Sequence, residues 1–239
     1  MPTDAPIADV RTDDETRDRL RRELAPGNDI ARGLAAVEEV YRSSGGVHAR
    51  VPWAHAKANP ALVAWLNARA SGLVRCGARV AVVGCGLGAD AIALANRGYE
   101  VCAFDACPSA IEHAKARYPG HAGIFRVCDL REMPSTMRHR YDLVVEIHTL
   151  QSMAPEHRVT LASGIEPLVS AHGRLLVIAR GREDGIGLDE VQGPPYPFTP
   201  EELRALMGER GLVLEGALDD YLDDGSTPAR RLRGVFVRA

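Results

Sequence analysis

Two features with chemical potential lie close together in the sequence, a glycine-rich loop and an aspartate beyond it. The glycines are Gly84, Gly86 and Gly88, and Asp105 follows the loop by about twenty residues. Glycines let the backbone turn sharply and approach a ligand closely, and the helix that follows offers unpaired N–H groups. An aspartate at this distance falls at the tip of the neighbouring strand, where it can accept hydrogen bonds from both hydroxyls of a ribose. The spacing therefore predicts a nucleoside site.

A second group of polar residues follows later strands of the same predicted sheet. Glu146 and His148 come at the end of an apolar segment, and Arg180 and Arg182 follow the next one. In open parallel sheets, ligands collect at the carboxyl ends of the strands. We therefore expect Glu146 and His148 at the reacting site, with His148 the better general base and Glu146 the second. Two other interpretations stay open: a histidine that completes a local hydrogen-bond network, and arginines in a solvated loop rather than against an anionic substrate.

The elements that must position these residues alternate between strand and helix. Residues 80–83 form a continuous apolar run, which is typical of a strand buried on both faces. The glycine loop and a helix follow, and residues 101–104 form a second strand that ends at Asp105. The alternation continues beyond this unit, and the last two strands form an antiparallel edge hairpin. The later elements are predicted as a helix over 107–118, a strand over 124–127, a strand and its exit over 141–151, a helix over 155–168, a strand over 175–179, a helix from 200, and closing strands over 213–218 and 231–238.

The first fifty residues precede this core. Residues 1 to about 12 have the composition of a disordered segment, and residues 13–24 and 30–41 have helical patterns. These helices are predicted either to pack as an ordinary pair or to form a lid over the active site. We expect residues 1–50 to be a helical extension and residues 51–239 to be one domain.

Two loops contain aromatic residues where a ligand pocket is expected. Trp53 stands in a loop that leads into the core, and a flat ring there either lines a pocket or anchors the loop. The segment GlyProProTyrProPhe at 193–198 is too stiff and too aromatic for a plain linker. We therefore expect Pro195 and Tyr196 to face the substrate.

Composition limits the partners. The 239 residues carry a net charge of −3, which gives no electrostatic case for nucleic-acid binding. No apolar run approaches the ~20 residues needed to cross a bilayer, and the acidic N-terminus lacks a signal-peptide pattern, so we expect a cytoplasmic protein. The five cysteines form no CxxC pair, which predicts reduced thiols that fill space. We expect a small-molecule substrate, no metal site, and a monomer or homodimer.

The loop sequence GlyCysGlyLeuGlyAlaAsp resembles the first motif of class I S-adenosylmethionine-dependent methyltransferases. Dinucleotide enzymes use GxGxxG, in which the third glycine allows close helix packing, whereas this chain has Asp90 where that closeness would matter. The resemblance implies a Rossmann-like α/β fold with a seven-stranded, mostly parallel sheet, an antiparallel edge hairpin and helices on both faces. It also implies that Asp105 holds the ribose and that Asp129 meets the adenine amino group. The expected contacts of S-adenosylmethionine are Gly84, Cys85, Gly86, Gly88, Asp105, Ala106, Asp129, Leu130, Glu146 and Trp53.

More narrowly, the chain resembles the thiopurine and thiol S-methyltransferase branch. The shared features are a Trp-containing segment before the first motif, the PheAsp pair at 104–105, the acid after the third strand, and GlyProProTyrProPheThr before the penultimate helix. The chain departs from the branch at GluIleHis, residues 146–148, so the acceptor does not carry over. The resemblance implies methyl transfer to a thiol, and the first alternative is an oxygen or nitrogen acceptor deprotonated by His148 or Glu146. A nicotinamide oxidoreductase and a non-catalytic cofactor sensor are the alternatives from other classes. The expected substrate contacts are Trp53, His148, Arg180, Pro195 and Tyr196.

Overall fold

The computed structural model describes residues 14–224 and 228–239. The segment predicted to be disordered, residues 1 to about 12, lies outside the described residues, and so do residues 225–227. The helices are α1 (Asp14–Glu23), α2 (Ile30–Ser44), α3 (Pro60–Ala68), α4 (Ala70–Leu73), α5 (Ala89–Ala95), α6 (Pro108–Arg117), α7 (Arg158–Ile165) and α8 (Pro200–Gly208). The strands are β1 (Arg79–Val83), β2 (Glu100–Asp105), β3 (Phe125–Val127), β4 (Tyr141–Ile147), β5 (Val169–Arg180), β6 (Leu212–Leu214), β7 (Asp219–Leu222) and β8 (Arg230–Arg238).

The strands form one mixed sheet in the order β3-β2-β1-β4-β5-β8-β6, and β7 also pairs with β8. The first five strands of this order are parallel, whereas β8 runs antiparallel to β5, β6 and β7. This arrangement confirms the predicted α/β fold with an antiparallel edge. The strand order reverses between β1 and β4, which is where open α/β sheets bind their ligands.

The predicted number of strands was wrong, because the described sheet has eight strands rather than seven. The segment 213–218 was expected to be one strand, but it ends at Leu214 and a separate strand begins at Asp219. Gly216 lies between them with a φ of +79°, a left-handed conformation that interrupts an extended strand. Both short strands still pair along β8.

The sheet is covered on both faces, because alternate residues of its central strands enter two different cores. On β1, Ala81 and Val83 belong to a core that includes residues of α1, α2, α7 and α8. Val80 and Val82 belong to the opposite core, together with residues of α3 and α5. The central strands are thus buried on both faces, as the continuous apolar run 80–83 predicted.

The second N-terminal helix is capped, and a polar contact joins the segment after the first helix to the loop at 193–198. The Asp29 side chain caps α2 by accepting a hydrogen bond from the backbone N–H of Arg32. The Tyr196 hydroxyl donates to the Leu24 carbonyl at 3.1 Å, just after α1. Among the residues described, no helix combines the length and the apolar character that a membrane span needs.

Candidate cofactor and acceptor site

A cavity of about 610 Å³ opens at the carboxyl ends of β1, β2, β4 and β5. Its volume falls within the range that small-molecule sites occupy. Its walls come from α1, α2, the segment 52–59, the glycine loop, the ends of β2 to β5, and the start of β8. The cavity therefore lies where the strand order reverses, and the N-terminal helices form part of its wall.

The glycine loop connects β1 to α5 at the edge of this cavity. Its three glycines have φ values of +58°, +50° and +85°, which residues with a side chain adopt only at a cost. A Cβ atom at Gly88 would lie 2.7 Å from the Phe125 ring. Gly88 therefore supplies the close approach of helix to sheet that dinucleotide-binding loops obtain from a later glycine.

Asp105 joins the tip of β2 to the glycine loop. One carboxylate oxygen accepts a hydrogen bond from the Gly86 backbone N–H at 2.9 Å, and the other accepts one from the Cys107 N–H at 2.9 Å. Burial raises the pKa of Asp105, and these two N–H groups act against that rise. A carboxylate oxygen has more than one acceptor site, so both oxygens of Asp105 retain capacity for a ligand hydroxyl.

Asp129 and Leu130 line the cavity at the end of β3. The Asp129 carboxylate accepts from the Arg131 backbone N–H at 2.8 Å and forms an ion pair with the Arg131 guanidinium. Hydrogen bonds and charge from Arg131 lower the pKa of Asp129, against an opposing effect of burial. The group is therefore an ionised acceptor, as a contact with an amino group requires.

Trp53 is 39% exposed and lines the cavity together with Tyr41 of α2. The Trp53 Nε1–H donates to the Tyr41 hydroxyl at 2.8 Å, and the two rings meet edge to face with centroids 5.7 Å apart. The Tyr41 hydroxyl stands over the glycine loop, because a Cβ atom at Gly86 would lie 2.9 Å from it. Burial raises the pKa of Tyr41 well above its usual value, so the hydroxyl keeps its proton and can donate it to a ligand.

His148 lines the cavity at the end of β4, in a left-handed backbone conformation with a φ of +64°. Such a conformation costs about 1–3 kcal/mol outside glycine and is concentrated at functional sites. Burial lowers the pKa of His148 to about 4, and the positive charges of Arg231 and Arg180 contribute to the decrease. The imidazole is therefore neutral near pH 7.

Gln151 fixes which nitrogen of His148 carries the proton. The side-chain oxygen of Gln151 accepts a hydrogen bond from the Arg180 backbone N–H at 2.6 Å, which identifies that atom as the amide oxygen. The same oxygen lies 3.2 Å from His148 Nδ1. Because an oxygen can only accept here, Nδ1 must donate, and Nε2 of the neutral ring carries the free lone pair.

Glu146 does not line the cavity, contrary to its expected contact with the cofactor. Its carboxyl group is fully buried on the same face of β4 as Val144, and Oε1 accepts a hydrogen bond from the Leu150 N–H at 2.9 Å. Burial raises the pKa of Glu146 to about 7. Alternation along β4 therefore places this side chain inside the protein, and it does not face an acceptor.

In the stiff loop at 193–198 and in the arginine pair near the end of β5, one residue faces the cavity and another is buried. Pro195 and Arg180 line the cavity. Tyr196 is buried behind it, and its hydroxyl contacts Leu24, which follows α1. Arg182 is also buried and forms an ion pair with Glu202 of α8. Tyr196 was expected to face the substrate and Arg182 was considered for an anion, but neither lines the cavity.

The remaining predicted residues meet at one place. Gly84, Cys85, Gly86, Gly88, Asp105, Ala106, Asp129, Leu130, Trp53, His148, Arg180 and Pro195 all line the cavity. Sequence reasoning missed Tyr41, His55, Lys57 and Arg231, which also line it. Tyr41 fitted an ordinary helix face and Arg231 an ordinary strand, so no local pattern indicated their roles.

Charge divides the lining into two parts. The acidic side consists of Asp90, Asp105 and Asp129, next to the glycine loop and the ends of β2 and β3. The basic side contains Arg180 and Arg231 beside the neutral His148, at the ends of β4 and β5 and the start of β8. Further basic residues line the wall from α1 and the segment 52–59, namely Arg17, Arg21, His55 and Lys57. Within residues 14–224 and 228–239, no group of His, Cys, Asp and Glu side chains has the arrangement of a metal site.

Comparison with known proteins finds similarity to methyltransferases. Residues 80–173 match a family model described as a methyltransferase domain. The matched segment runs from β1, through the glycine loop, to the first part of β5. No curated protein matches the chain.

Solved structures share the fold at low sequence identity. One is the Burkholderia thailandensis 1,6-didemethyltoxoflavin-N1-methyltransferase with bound 1,6-didemethyltoxoflavin and S-adenosylhomocysteine, 21% identical over 90% of this chain and 92% of that one, with a TM-score of 0.69. A second comes from work on the conversion of a disulfide bond into a thioacetal group during echinomycin biosynthesis, 21% identical over 86% and 92%, with a TM-score of 0.68. A third is the magnesium protoporphyrin IX methyltransferase of Synechocystis with bound S-adenosylmethionine, 20% identical over 93% and 91%, with a TM-score of 0.56.

Proposed function

We infer that this S-adenosylmethionine-dependent methyltransferase acts on a small molecule, and we propose a thiol as its acceptor. One observation carries the proposal: a single cavity joins the acidic side, suited to an adenosyl group, to a basic side that contains a neutral histidine. A nucleoside bound at Asp105 would direct its sulfonium toward the acceptor on the basic side.

The cofactor contacts we propose follow from the residues on the acidic side. Asp105 would hold the two ribose hydroxyls, and Asp129 would accept from the adenine amino group. The backbone of the glycine loop would follow the methionine part, with the Tyr41 hydroxyl above it. All of these residues already line the cavity.

The reaction is an in-line displacement. A lone pair of the acceptor forms a bond to the methyl carbon while the bond from that carbon to the sulfonium breaks, and the bonding pair stays on sulfur as S-adenosylhomocysteine forms. The protein contributes mainly by holding the nucleophile, the methyl carbon and the sulfur in line. In well-oriented reactions such positioning lowers the barrier by about 7–11 kcal/mol. If the acceptor loses a proton, the Nε2 lone pair of His148 would receive it.

A thiol fits the basic side best. A histidine whose pKa is about 4 is a weak base, so it gives little help to an alcohol that must lose its proton. A thiol with a pKa near ~8.5 forms some thiolate unaided, and the positive charges of Arg180 and Arg231 favour that anion. Sulfur chemistry also occurs in the work from which one structural neighbour comes, the conversion of a disulfide bond into a thioacetal group.

An oxygen or nitrogen acceptor is the second candidate. The observation that favours it is the hydrogen bond between His148 and Gln151, which leaves Nε2 as a fixed acceptor rather than a mobile one. The N1-methyltransferase among the structural neighbours acts on a ring nitrogen. A nitrogen that already has a free lone pair would need only orientation.

We further propose that α1 and α2 belong to the site rather than to a separate extension. Side chains of both helices line the cavity, among them Leu20, Leu34 and Tyr41. Closure over a bound acceptor would exclude water, which favours the cancelling charges of a thiolate and a sulfonium.

The test is a screen with labelled S-adenosylmethionine over thiols, phenols and amines of similar size. We expect S-adenosylhomocysteine to raise the melting temperature more than NADH does, and thiols to accept the label fastest. A larger effect of NADH would indicate an oxidoreductase, and cofactor binding with no transfer to any acceptor would indicate a sensor. Faster transfer to phenols or amines would replace the thiol by the second candidate.

A further inference from the structure

The basic side contains an unusual pair of arginines. Arg180 and Arg231 are direct partners in the antiparallel register of β5 and β8, and both side chains line the cavity. Like charges placed directly opposite each other on neighbouring strands are destabilising. The fold itself does not favour this arginine pair, and the pair lies on a ligand cavity. A negative charge beside the two guanidinium groups would offset their repulsion.

The protein supplies only part of that counter-charge. Arg231 donates from Nε to the Asp223 carboxylate at 2.7 Å. The Arg180 guanidinium makes no ion pair and no side-chain hydrogen bond with any residue in the described part of the chain. Its backbone is nonetheless fixed, because its N–H donates to Gln151 and its carbonyl accepts from the Phe198 N–H at 3.0 Å. The backbone of Arg180 is therefore fixed, while its exposed guanidinium has no acidic partner among the described residues.

The other cations of the cavity differ from this pair. Arg17 and Arg21 of α1 also line it, but each is paired with an aspartate of its own helix. His55 acts on His148 and on Asp90, and both His55 and Lys57 come from the segment 52–59 rather than from the strand ends. At the strand ends, the positive charge beside His148 comes from Arg180 and Arg231.

We propose that Arg180 and Arg231 form a binding site for an anionic oxygen group, a carboxylate or a phosphate, on the methyl acceptor. A planar guanidinium donates two parallel hydrogen bonds to such a group, and two adjacent guanidinium groups fix its orientation. The acceptor would then be anchored at one end by charge while its nucleophile lies near His148. This inference rests on the proposed function, since it names the substrate class of the same cavity.

The binding test uses three probes that share one ring and differ in the head group: benzoate, phenyl phosphate and benzamide. The protein is first saturated with S-adenosylhomocysteine, so that the carboxylate of the cofactor product occupies its own site. We expect calorimetry to show at least one anion binding about tenfold more tightly than benzamide. Comparison of the two anions distinguishes a carboxylate site from a phosphate site.

The variants are Arg180→Gln and Arg231→Gln, with Arg97→Gln as a control. Arg97 is an exposed arginine that donates to Asn67, away from the cavity. We expect Arg180→Gln to weaken anion binding about tenfold and to leave the affinity for benzamide and S-adenosylhomocysteine unchanged. Equal binding of all three probes to the unmodified protein overturns the proposal. Loss of S-adenosylhomocysteine affinity in Arg180→Gln also overturns it, because the arginines would then hold the cofactor.

A methyl-transfer assay separates this inference from the proposed function. The matched acceptors are 3-mercaptobenzoate and 3-mercaptobenzamide. Faster transfer to the acid, lost in Arg180→Gln, supports both proposals. Anion binding without transfer to any acceptor would leave the site standing and reject the enzymatic role.

Discussion

The acidic side and the basic side of the cavity are built in different ways. The acidic side comes from consecutive strand ends, with the glycine loop and Asp105 separated by one helix and one strand. The basic side combines His148 and Arg180, which follow the consecutive strands β4 and β5, with Arg231 of β8, which lies much later in the sequence. One side is local in sequence and the other depends on the whole fold.

This difference separates what is common to a large class of proteins from what is particular to this one. A loop and an acid on neighbouring strands suit any ligand that carries an adenosyl group. Recognition of the acceptor depends on which side chains the remote segments bring to the cavity. Substitutions on the acidic side should therefore alter cofactor affinity, and those on the basic side should alter the choice and rate of the acceptor.

The largest expected effect tests the acidic side. Asp105→Ala removes two charge-assisted hydrogen bonds to the ribose, each contributing about 1.5–3 kcal/mol, so the affinity for S-adenosylhomocysteine should fall by about 10²–10⁴. Calorimetric titration measures the change. Asp142→Ala, which affects a carboxylate at the amino end of β4 that binds Arg75, is the control and should keep the affinity. An unchanged dissociation constant for S-adenosylhomocysteine in Asp105→Ala would show that Asp105 does not bind the ribose.

The next effect tests the basic side. His148→Gln keeps a polar side chain but removes the base. With a phenol as acceptor we expect kcat/KM to fall by about 10², the low end of the usual contribution of a general base, because a histidine with a pKa of about 4 is a weak base. With a thiol the loss should be below about tenfold and should vanish near pH 9, where a thiol with a pKa near ~8.5 ionises unaided.

The control for this histidine is His172→Gln, at an exposed position of β5. It should leave the rate unchanged with both acceptors. If His148→Gln weakened cofactor binding instead of slowing methyl transfer, the two sides of the cavity would not be functionally distinct.

A substitution of Glu146 tests whether this buried carboxyl group takes part in the site or affects only the stability of the fold. Its pKa is raised from 4.5 to about 7 in the folded protein, so folding favours the protonated form. That contribution to stability is complete below pH 4.5 and is lost as pH rises through 7. The difference in free energy of unfolding between Glu146→Gln and the unmodified protein should therefore shift in favour of the variant as the pH rises from 5 to 8. This shift should amount to up to about 3 kcal/mol.

Urea unfolding at the two pH values measures this gain, and methyl transfer should change by less than about threefold, because the carboxyl group does not line the cavity. A gain that is the same at both pH values would contradict the raised pKa. A large loss of methyl transfer would return Glu146 to the reacting site.

The smallest effect tests the contact between the N-terminal helices and the glycine loop. Trp53→Phe removes the donor to Tyr41 while keeping an aromatic ring, and one such bond contributes about 0.5–1.5 kcal/mol. The affinity for S-adenosylhomocysteine should fall by about twofold to tenfold. Trp65→Phe is the matched control, since Trp65 is buried in the core and its Nε1 has no partner among the described residues. An equal loss of affinity in both variants would assign the effect to general destabilisation.

The fold and the acidic side could be predicted because their signals are local. The apolar run 80–83, the glycines and Asp105 each restrict the backbone within a few residues, and the alternation of strand and helix fixed the sheet type. The strand count failed at Gly216, because a glycine within an apolar segment does not reveal whether the strand bends or breaks.

The basic side could be predicted only in part. His148, Arg180 and Pro195 follow strands or stand in a stiff loop, but the face on which a side chain points depends on register. Glu146 and Tyr196 each lie within two residues of a cavity-lining residue and point into the protein. Arg231 joins the site only because β8 pairs with β5 in one particular register, and no local pattern encodes that pairing.

The most direct test is a crystal structure of the protein with S-adenosylhomocysteine bound. We predict that the ribose hydroxyls contact Asp105, that the adenine lies at Asp129, and that the sulfur faces His148 and Arg180. A nucleoside bound elsewhere, or a sulfur directed away from the basic side, would contradict the division of the cavity into a cofactor side and an acceptor side.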